Sequence, residues 1–186
     1  MKRRAFIDRV VYWLRLRGVW LVLPPFLYFA DPTPGLLVLG GALSLLGLLL
    51  RLWAGGTLRK DKVVVTTGPY AYTRNPLYLG TLLIGVGAAV AADLPLWGLA
   101  AVLIFIPVYG QTMRREAREL EERFGGPYRD YARHVPLLRP RLTPYRPDRV
   151  ESEPFRWERY FINREWEAGL GTLLLYGLLI ARWLVF

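Results

Sequence analysis

Two stretches of this chain hold polar side chains at spacings that could do chemistry. The first runs Gly68-Pro69-Tyr70-Ala71-Tyr72-Thr73-Arg74-Asn75-Pro76-Leu77-Tyr78-Leu79-Gly80. Pro76 pushes Asn75 out of the helical region and suits the first turn of a helix. Backbone N–H groups at such a start have no partner within the helix, and could receive a carboxylate or a ribose hydroxyl. The same tyrosines and Arg74 would also serve as an ordinary interfacial girdle. The second stretch runs from Gln111 to Gly125 and is rich in both charges. On a helix, Glu116, Leu120 and Phe124 fall roughly on one side. Glu119, Glu122 and Arg123 fall elsewhere and read as a solvated face. The Gly125-Gly126-Pro127 step stops that helix. A second short helix, Pro127 to His134, then sets Tyr128 and Tyr131 within one turn before Val135-Pro136 and Pro140 end it.

The composition narrows what these stretches can do. There is no cysteine, hence no disulfide framework, thiolate metal site or cysteine nucleophile. The single histidine, His134, leaves no metal cluster and no second imidazole for an acid–base pair, and at a helix end it reads as a surface residue. The net charge is +10 although 53% of residues are hydrophobic. The basic residues flank apolar runs instead of forming a free patch, so the charge fits the positive-inside pattern of a membrane protein better than a nucleic-acid surface.

The elements that must position both stretches are membrane helices. Leu36 to Leu50, Leu77 to Ala92 and Leu94 to Gln111 are free of charged residues, and Ala168 to Phe186 carries only Arg182, which can snorkel. Asp93 and Pro95 make a tight hairpin between the second and third of these runs. Gly18 to Ala30 is a shorter apolar run bent by Pro24-Pro25. Before it, Phe6, Val10, Trp13 and Leu14 recur at helical spacing among arginines, as in an interfacial helix. An uncleaved start is favoured over a signal peptide, because no small-x-small site follows the run. Of the Lys and Arg residues, six precede Gly18, five lie from Arg51 to Arg74 and thirteen from Arg114 to Arg164. Five spans with the N-terminus inside put all three groups on the cytoplasmic side. The expected fold is therefore all-α: one domain over residues 1–186, a polytopic membrane bundle of about five transmembrane helices. Its cytoplasmic segments are 51–78 and 111–166. Thr143 to Pro154 reads as an extended connector.

The pattern Gly-Pro-Tyr-x-Tyr-x-Arg-Asn-Pro-x-Tyr-x-Gly, with Glu…Phe-Gly-x-x-Tyr-x-x-Tyr-x-x-x-Val-Pro following after about 35 residues, resembles the isoprenylcysteine carboxyl methyltransferase and phospholipid methyltransferase superfamily. The likeness covers about Lys62 to Pro140, and the Asn163-Arg164-Glu165 tail resembles bacterial members. The resemblance implies an integral enzyme of a bacterial inner membrane. It holds S-adenosylmethionine in a cytoplasmic pocket and acts on a lipophilic small molecule, a lipid or a lipidated substrate. Carried over by position, the cofactor would be bound by Lys62, Val63, Val64, Val65, Tyr70, Asn75, Pro76, Leu77, Tyr78 and Glu116. Glu116 could hold the amino group or ribose hydroxyls, and Tyr70 and Tyr78 could face the sulfonium.

Three positions depart from the pattern. Asn75 stands where the family usually has histidine, which removes a proton-carrying role there. Ala117 follows Glu116 where a second glutamate is common. Thr112 occupies the place of a substrate-binding arginine, leaving Arg74 or Arg115 as the catalytic cations. A sulfonium donor is already activated, so transfer needs mainly in-line placement and exclusion of water. A membrane-borne acceptor would reach the site between the cytoplasmic ends of the spans beginning at Leu77 and Leu94, past Gly80, Leu83, Ile84, Pro107 and Val108. Two other readings are a nicotinamide-dependent membrane reductase of the sterol-reductase type, disfavoured by the lack of a glycine-rich dinucleotide motif, and a non-catalytic protein whose basic surface binds anionic lipid.

Overall fold

A computed structural model describes residues 21–59, 63–146 and 153–185. It is helical throughout, with no strand among the described residues. Residues 21–29 form α1. It is followed by α2 (Pro34–Thr57), α3 (Pro76–Ala91), α4 (Pro95–Phe124), α5 (Gly126–His134), α6 (Trp157–Ile162) and α7 (Trp166–Val185). The proposed amphipathic segment from Phe6 to Arg17 lies outside the described residues.

Helix starts follow the prolines. Pro34, Pro76 and Pro95 each occupy the first turn of a long helix, where a missing N–H costs nothing. α2, α4 and α7 are long and apolar enough to cross a membrane, and α3 is a shorter apolar helix. Its 16 residues rise about 24 Å, against a hydrocarbon core of about 30 Å. The α3–α4 hairpin turns on Asp93, whose φ of 55° is left-handed, a region aspartate tolerates better than most residues. α4 is one continuous helix from its apolar half into its charged half and stops where Gly125 takes a φ of 60°.

The tightest contact joins α2 to α3 along small residues. Gly40, Ser44 and Gly47 face Gly80, Ile84, Gly87 and Ala91. A Cβ on Gly47 would stand 2.6 Å from the carbonyl oxygen of Gly80, and one on Gly87 would stand 2.6 Å from that of Gly40. Backbones approach this closely only where side chains are absent. Ser44 adds a hydrogen bond to the Ile84 carbonyl at 3.2 Å and another with the Tyr176 hydroxyl at 2.9 Å, which brings α7 onto the pair.

This seam corrects one expectation. Gly80 and Ile84 do not border a gap toward α4; they face α2. A Cβ on Gly80 would lie 2.6 Å from Arg51 Cγ and 2.8 Å from the Gly47 carbonyl oxygen. A glycine in an apolar run announces a close approach without saying which helix approaches.

Arg51 crosses the same seam near the C-terminal end of α2. It donates to the Leu77 carbonyl at 3.2 Å and to Thr81 Oγ1 at 2.6 Å, and pairs with the buried Glu165 at 2.6 Å. At the opposite end of the bundle, Arg182 donates to the Ala30 carbonyl and Asp31 N–H bonds the Ala92 carbonyl at 2.9 Å. The arginine expected to snorkel is thus tied to the loop after α1.

Candidate functional site

The two motif stretches meet where α2 ends, α3 begins and α4 runs on into its charged half. The loop after α5 laces onto the strip before α3: Arg74 N–H bonds the Pro136 carbonyl at 3.0 Å, Arg141 N–H the Tyr72 carbonyl at 3.0 Å and Tyr145 N–H the Ala71 carbonyl at 2.9 Å. Thr73, fully buried, donates to the Leu138 carbonyl at 3.0 Å. The Tyr131 hydroxyl donates to the Tyr70 carbonyl at 2.7 Å. Residues about sixty apart in sequence are thereby fixed edge to edge.

Between them lies a cavity of about 430 Å³, within the range usual for small-molecule sites. Leu58 and Arg59 form one wall, continued by the extended Val63–Val65 strip. Tyr70, Arg74 and Asn75 form the base beside α3. Met113, Glu116, Ala117 and Leu120 of α4 close the far side, with Tyr128 and Tyr131 of α5 behind.

Of the residues expected to bind cofactor, Val63, Val64, Val65, Tyr70, Asn75 and Glu116 line this cavity, as does Arg74. Pro76, Leu77 and Tyr78 stand one layer back. Leu77 packs against the cluster of Ala54, Val65 and Tyr70. The Tyr78 hydroxyl donates to Glu116 Oε1 at 2.8 Å, which fixes the carboxylate's orientation. Lys62 lies outside the described residues. Arg115 is not brought to the cavity: it is exposed on the outer face of α4, 3.5 Å from Glu119. Thr112 is buried and returns its hydroxyl to the Val108 carbonyl at 3.4 Å. His134 is exposed, stacked on the Tyr145 ring.

Asn75 does not cap α3 with its side chain. Its amide donates to the Leu137 carbonyl at 2.9 Å, so the residue that replaces histidine helps tie the two motifs together. Arg74 is less well satisfied. Its NH1 reaches the Tyr128 hydroxyl at 3.4 Å, while its Nε is buried with no hydrogen-bond partner, a costly state for a guanidinium N–H.

Sequence reasoning missed several lining residues. Leu58 and Arg59 follow α2, and nothing local marks them. Tyr128 and Tyr131 were visible as a pair, but their target was not. Glu119 and Arg123, read as solvated, border the cavity because α5 folds back after Gly125.

Tyr70 and Tyr131 are not bases. Burial pushes the Tyr70 hydroxyl up, the Glu165 carboxylate adds to the effect and Arg51 only partly offsets it. Burial likewise pushes Tyr131 up, with Tyr70 and Tyr128 adding to it. Both stay neutral near pH 7.

A helical membrane protein with a cavity built from these two motifs defines a class, and comparison with known proteins agrees with it. The phospholipid methyltransferase family matches residues 36–126. The cobalt-zinc-cadmium resistance protein CzcN of Cupriavidus metallidurans is 32% identical over 173 residues, 84% of this chain and 79% of that protein. The nickel-cobalt-cadmium resistance protein NccN of Alcaligenes xylosoxydans xylosoxydans is 36% identical over 102 residues, 52% of this chain and 46% of that one. No solved structure matches the chain. The chain belongs to the phospholipid methyltransferase family, within the superfamily that includes the isoprenylcysteine carboxyl methyltransferases.

Proposed function

We propose that this protein transfers a methyl group from S-adenosylmethionine to a lipophilic acceptor held in the membrane, a lipid or a prenylcysteine-like molecule. The observation that carries the reading is the pairing of opposite charges across one cavity. Glu116, steadied by Tyr78, stands on the α4 side, and the Arg74 Nε, buried without an acceptor, stands on the α3 side. A zwitterionic ligand matches both. Glu116 would hold the amino group or ribose hydroxyls, and Arg74 would satisfy its N–H on a carboxylate. Val63–Val65, Leu58 and Met113 supply apolar walls around them.

When bound, the donor supplies a methyl group already activated on a sulfonium. The residues then have three tasks: orient the donor, exclude water and leave the methyl open to the acceptor. Arg74, not Arg115, takes the role of anion holder, because of these two Arg74 alone borders the cavity. The acceptor reaches it between α3 and α4. Tyr78, Tyr109 and Phe105 line up there, with ring centroids 5.4 and 4.3 Å apart, and Gly80 has no part in the route.

Calorimetry with the detergent-purified protein tests the donor: adenosylmethionine should bind and a nicotinamide cofactor should not. Mass spectrometry of membrane lipids after incubation with labelled donor identifies the acceptor. The proposed topology has five spans, with the N-terminus in the cytoplasm of a bacterial inner membrane. Reporter fusions after Asp31, Arg59, Asp93 and Arg146 should then read outside, inside, outside and inside. An outside signal at Arg146 would put the cavity away from cytoplasmic adenosylmethionine and sink the reading.

A further inference from the structure

The last carbonyls of an α-helix have no partner inside it. α2 ends without the left-handed residue that commonly satisfies them: Leu58 is extended, with φ −65° and ψ 128°. The Leu58 N–H takes the Ala54 carbonyl, and the carbonyls of Gly55, Gly56, Thr57 and Leu58 are occupied by a segment about a hundred residues later. Asn163 Nδ2 donates to the Gly55 carbonyl at 2.9 Å and to that of Leu58 at 3.3 Å. Arg156 N–H takes the Gly56 carbonyl at 2.9 Å, and Arg159 NH1 takes that of Thr57 at 3.2 Å. Gly55 and Gly56 lack side chains for a matching reason: Glu165 and the Phe155 ring occupy the places where Cβ atoms would go.

The same segment grips both sides of the cavity wall. Glu153 bonds Arg59 at 3.0 Å and Arg159 at 2.6 Å. Its backbone exchanges hydrogen bonds with the Thr67 hydroxyl, at 3.2 Å from the N–H and 3.3 Å to the carbonyl. Leu58 and Arg59 lie before the Val63–Val65 strip and Thr67 just after it, so this wall is held at both ends. No residue from 153 to 165 itself lines the cavity, and the segment falls outside the stretch matched to the family.

We infer that Glu153 and Asn163 are positioning residues for the methyl-donor site, setting the Leu58–Arg59 and Val63–Val65 wall from outside it. The inference rests on the proposed adenosylmethionine reading for its functional consequence, but not for its structural one.

The test compares Asn163→Asp, which keeps the shape and loses both N–H donors, with Glu153→Gln and with the conservative Asn163→Gln. In the full-length protein in detergent, Asn163→Asp should raise the KM for adenosylmethionine roughly tenfold. Its kcat at saturating donor and its KM for the acceptor should be unchanged, with Asn163→Gln recovering part of the loss. Hydrogen–deuterium exchange should quicken at residues 58, 59 and 63–65 and stay as in the wild type within Pro76–Ala91. Unchanged exchange at the wall overturns the inference. So does a uniform quickening across all helices, which would mark a general structural role. If the wild-type protein binds no adenosylmethionine, the donor reading fails, and the exchange pattern still decides whether the clamp exists.

Discussion

The two faces of α3 are built on opposite plans. Toward α2 it presents glycine and alanine, so backbone meets backbone and Arg51 stitches the end where α3 begins. Toward α4 it presents Tyr78, which leans on Tyr109 and reaches Glu116 through a single hydrogen bond. The first contact is a seam with no spare volume. The second is a row of rings whose side chains can turn aside. The proposed transfer, from a water-soluble donor to a lipophilic acceptor, calls for one face of each kind.

Breaking the seam should cost most. Arg51→Ala leaves the buried Glu165 carboxylate without its main cation, and loss of one partner of a buried pair typically costs about 3–5 kcal/mol. Thermal unfolding in detergent should show a large drop. An Arg51→Leu/Glu165→Leu double variant should recover part of it, because no buried charge is then stranded. A melting curve for Arg51→Ala equal to the wild type would remove the pair from the seam's support. Gly47→Leu comes next: its side chain must enter space held by the Gly80 carbonyl and Ile84. Overpacking of this kind costs about 1–3 kcal/mol, seen as a lowered unfolding temperature and a smaller folded fraction.

On the ring-lined face, substitutions should act on ligand instead of fold. Glu116→Ala should weaken adenosylmethionine by roughly ten- to a hundredfold, the usual worth of a charge-assisted hydrogen bond, while the exposed Glu121→Ala should bind as the wild type does. Equal affinities in calorimetry for wild type and Glu116→Ala would take that carboxylate out of the site. Tyr78→Phe removes only the 2.8 Å bond that steadies Glu116, and should cost about 0.5–1.5 kcal/mol of binding.

The smallest effect concerns acid. Burial of Glu153 opposes its charge, but the hydrogen bonds and charges of Arg59 and Arg159 outweigh it and hold the carboxyl below its ordinary value of 4.5. A depressed carboxylate pKa contributes stability that is complete above the ordinary value and lost as pH falls through the depressed one. Unfolding temperature should therefore decline at acid pH, and Glu153→Gln should flatten that decline.

Much of the bundle was legible in the residues themselves. Uncharged runs marked the helices, prolines marked their starts and Gly125 marked the end of α4, because each of these acts within one turn of chain. The site was legible only in part. Tyr70, Asn75 and Glu116 belong to motifs read in place, but Arg59 and Tyr131 join the cavity through partners far along the chain, which no local periodicity encodes. Gly80 shows the limit most clearly: its spacing declared a close neighbour, and only the fold revealed that neighbour to be α2. Asn163 belonged to a recognisable tail, yet its partners, the open carbonyls of α2, could not be read until the helix end was placed beside it.

One feature of α4 bears on how the site could move. The helix has 30 residues, a rod of about 45 Å, of which some 15 Å projects beyond a bilayer core. Pro107 lies inside its apolar half, leaving the Leu103 carbonyl without its usual helical donor and making this the point of least bending stiffness. Glu116 sits nine residues further on, at the end of a lever arm of about 14 Å. A flex of about five degrees at Pro107 carries Glu116 through roughly 1.2 Å, enough to part it from Tyr78. Lateral pressure in the lipid around Pro107 thus has a mechanical route to the cavity carboxylate that Tyr78 steadies.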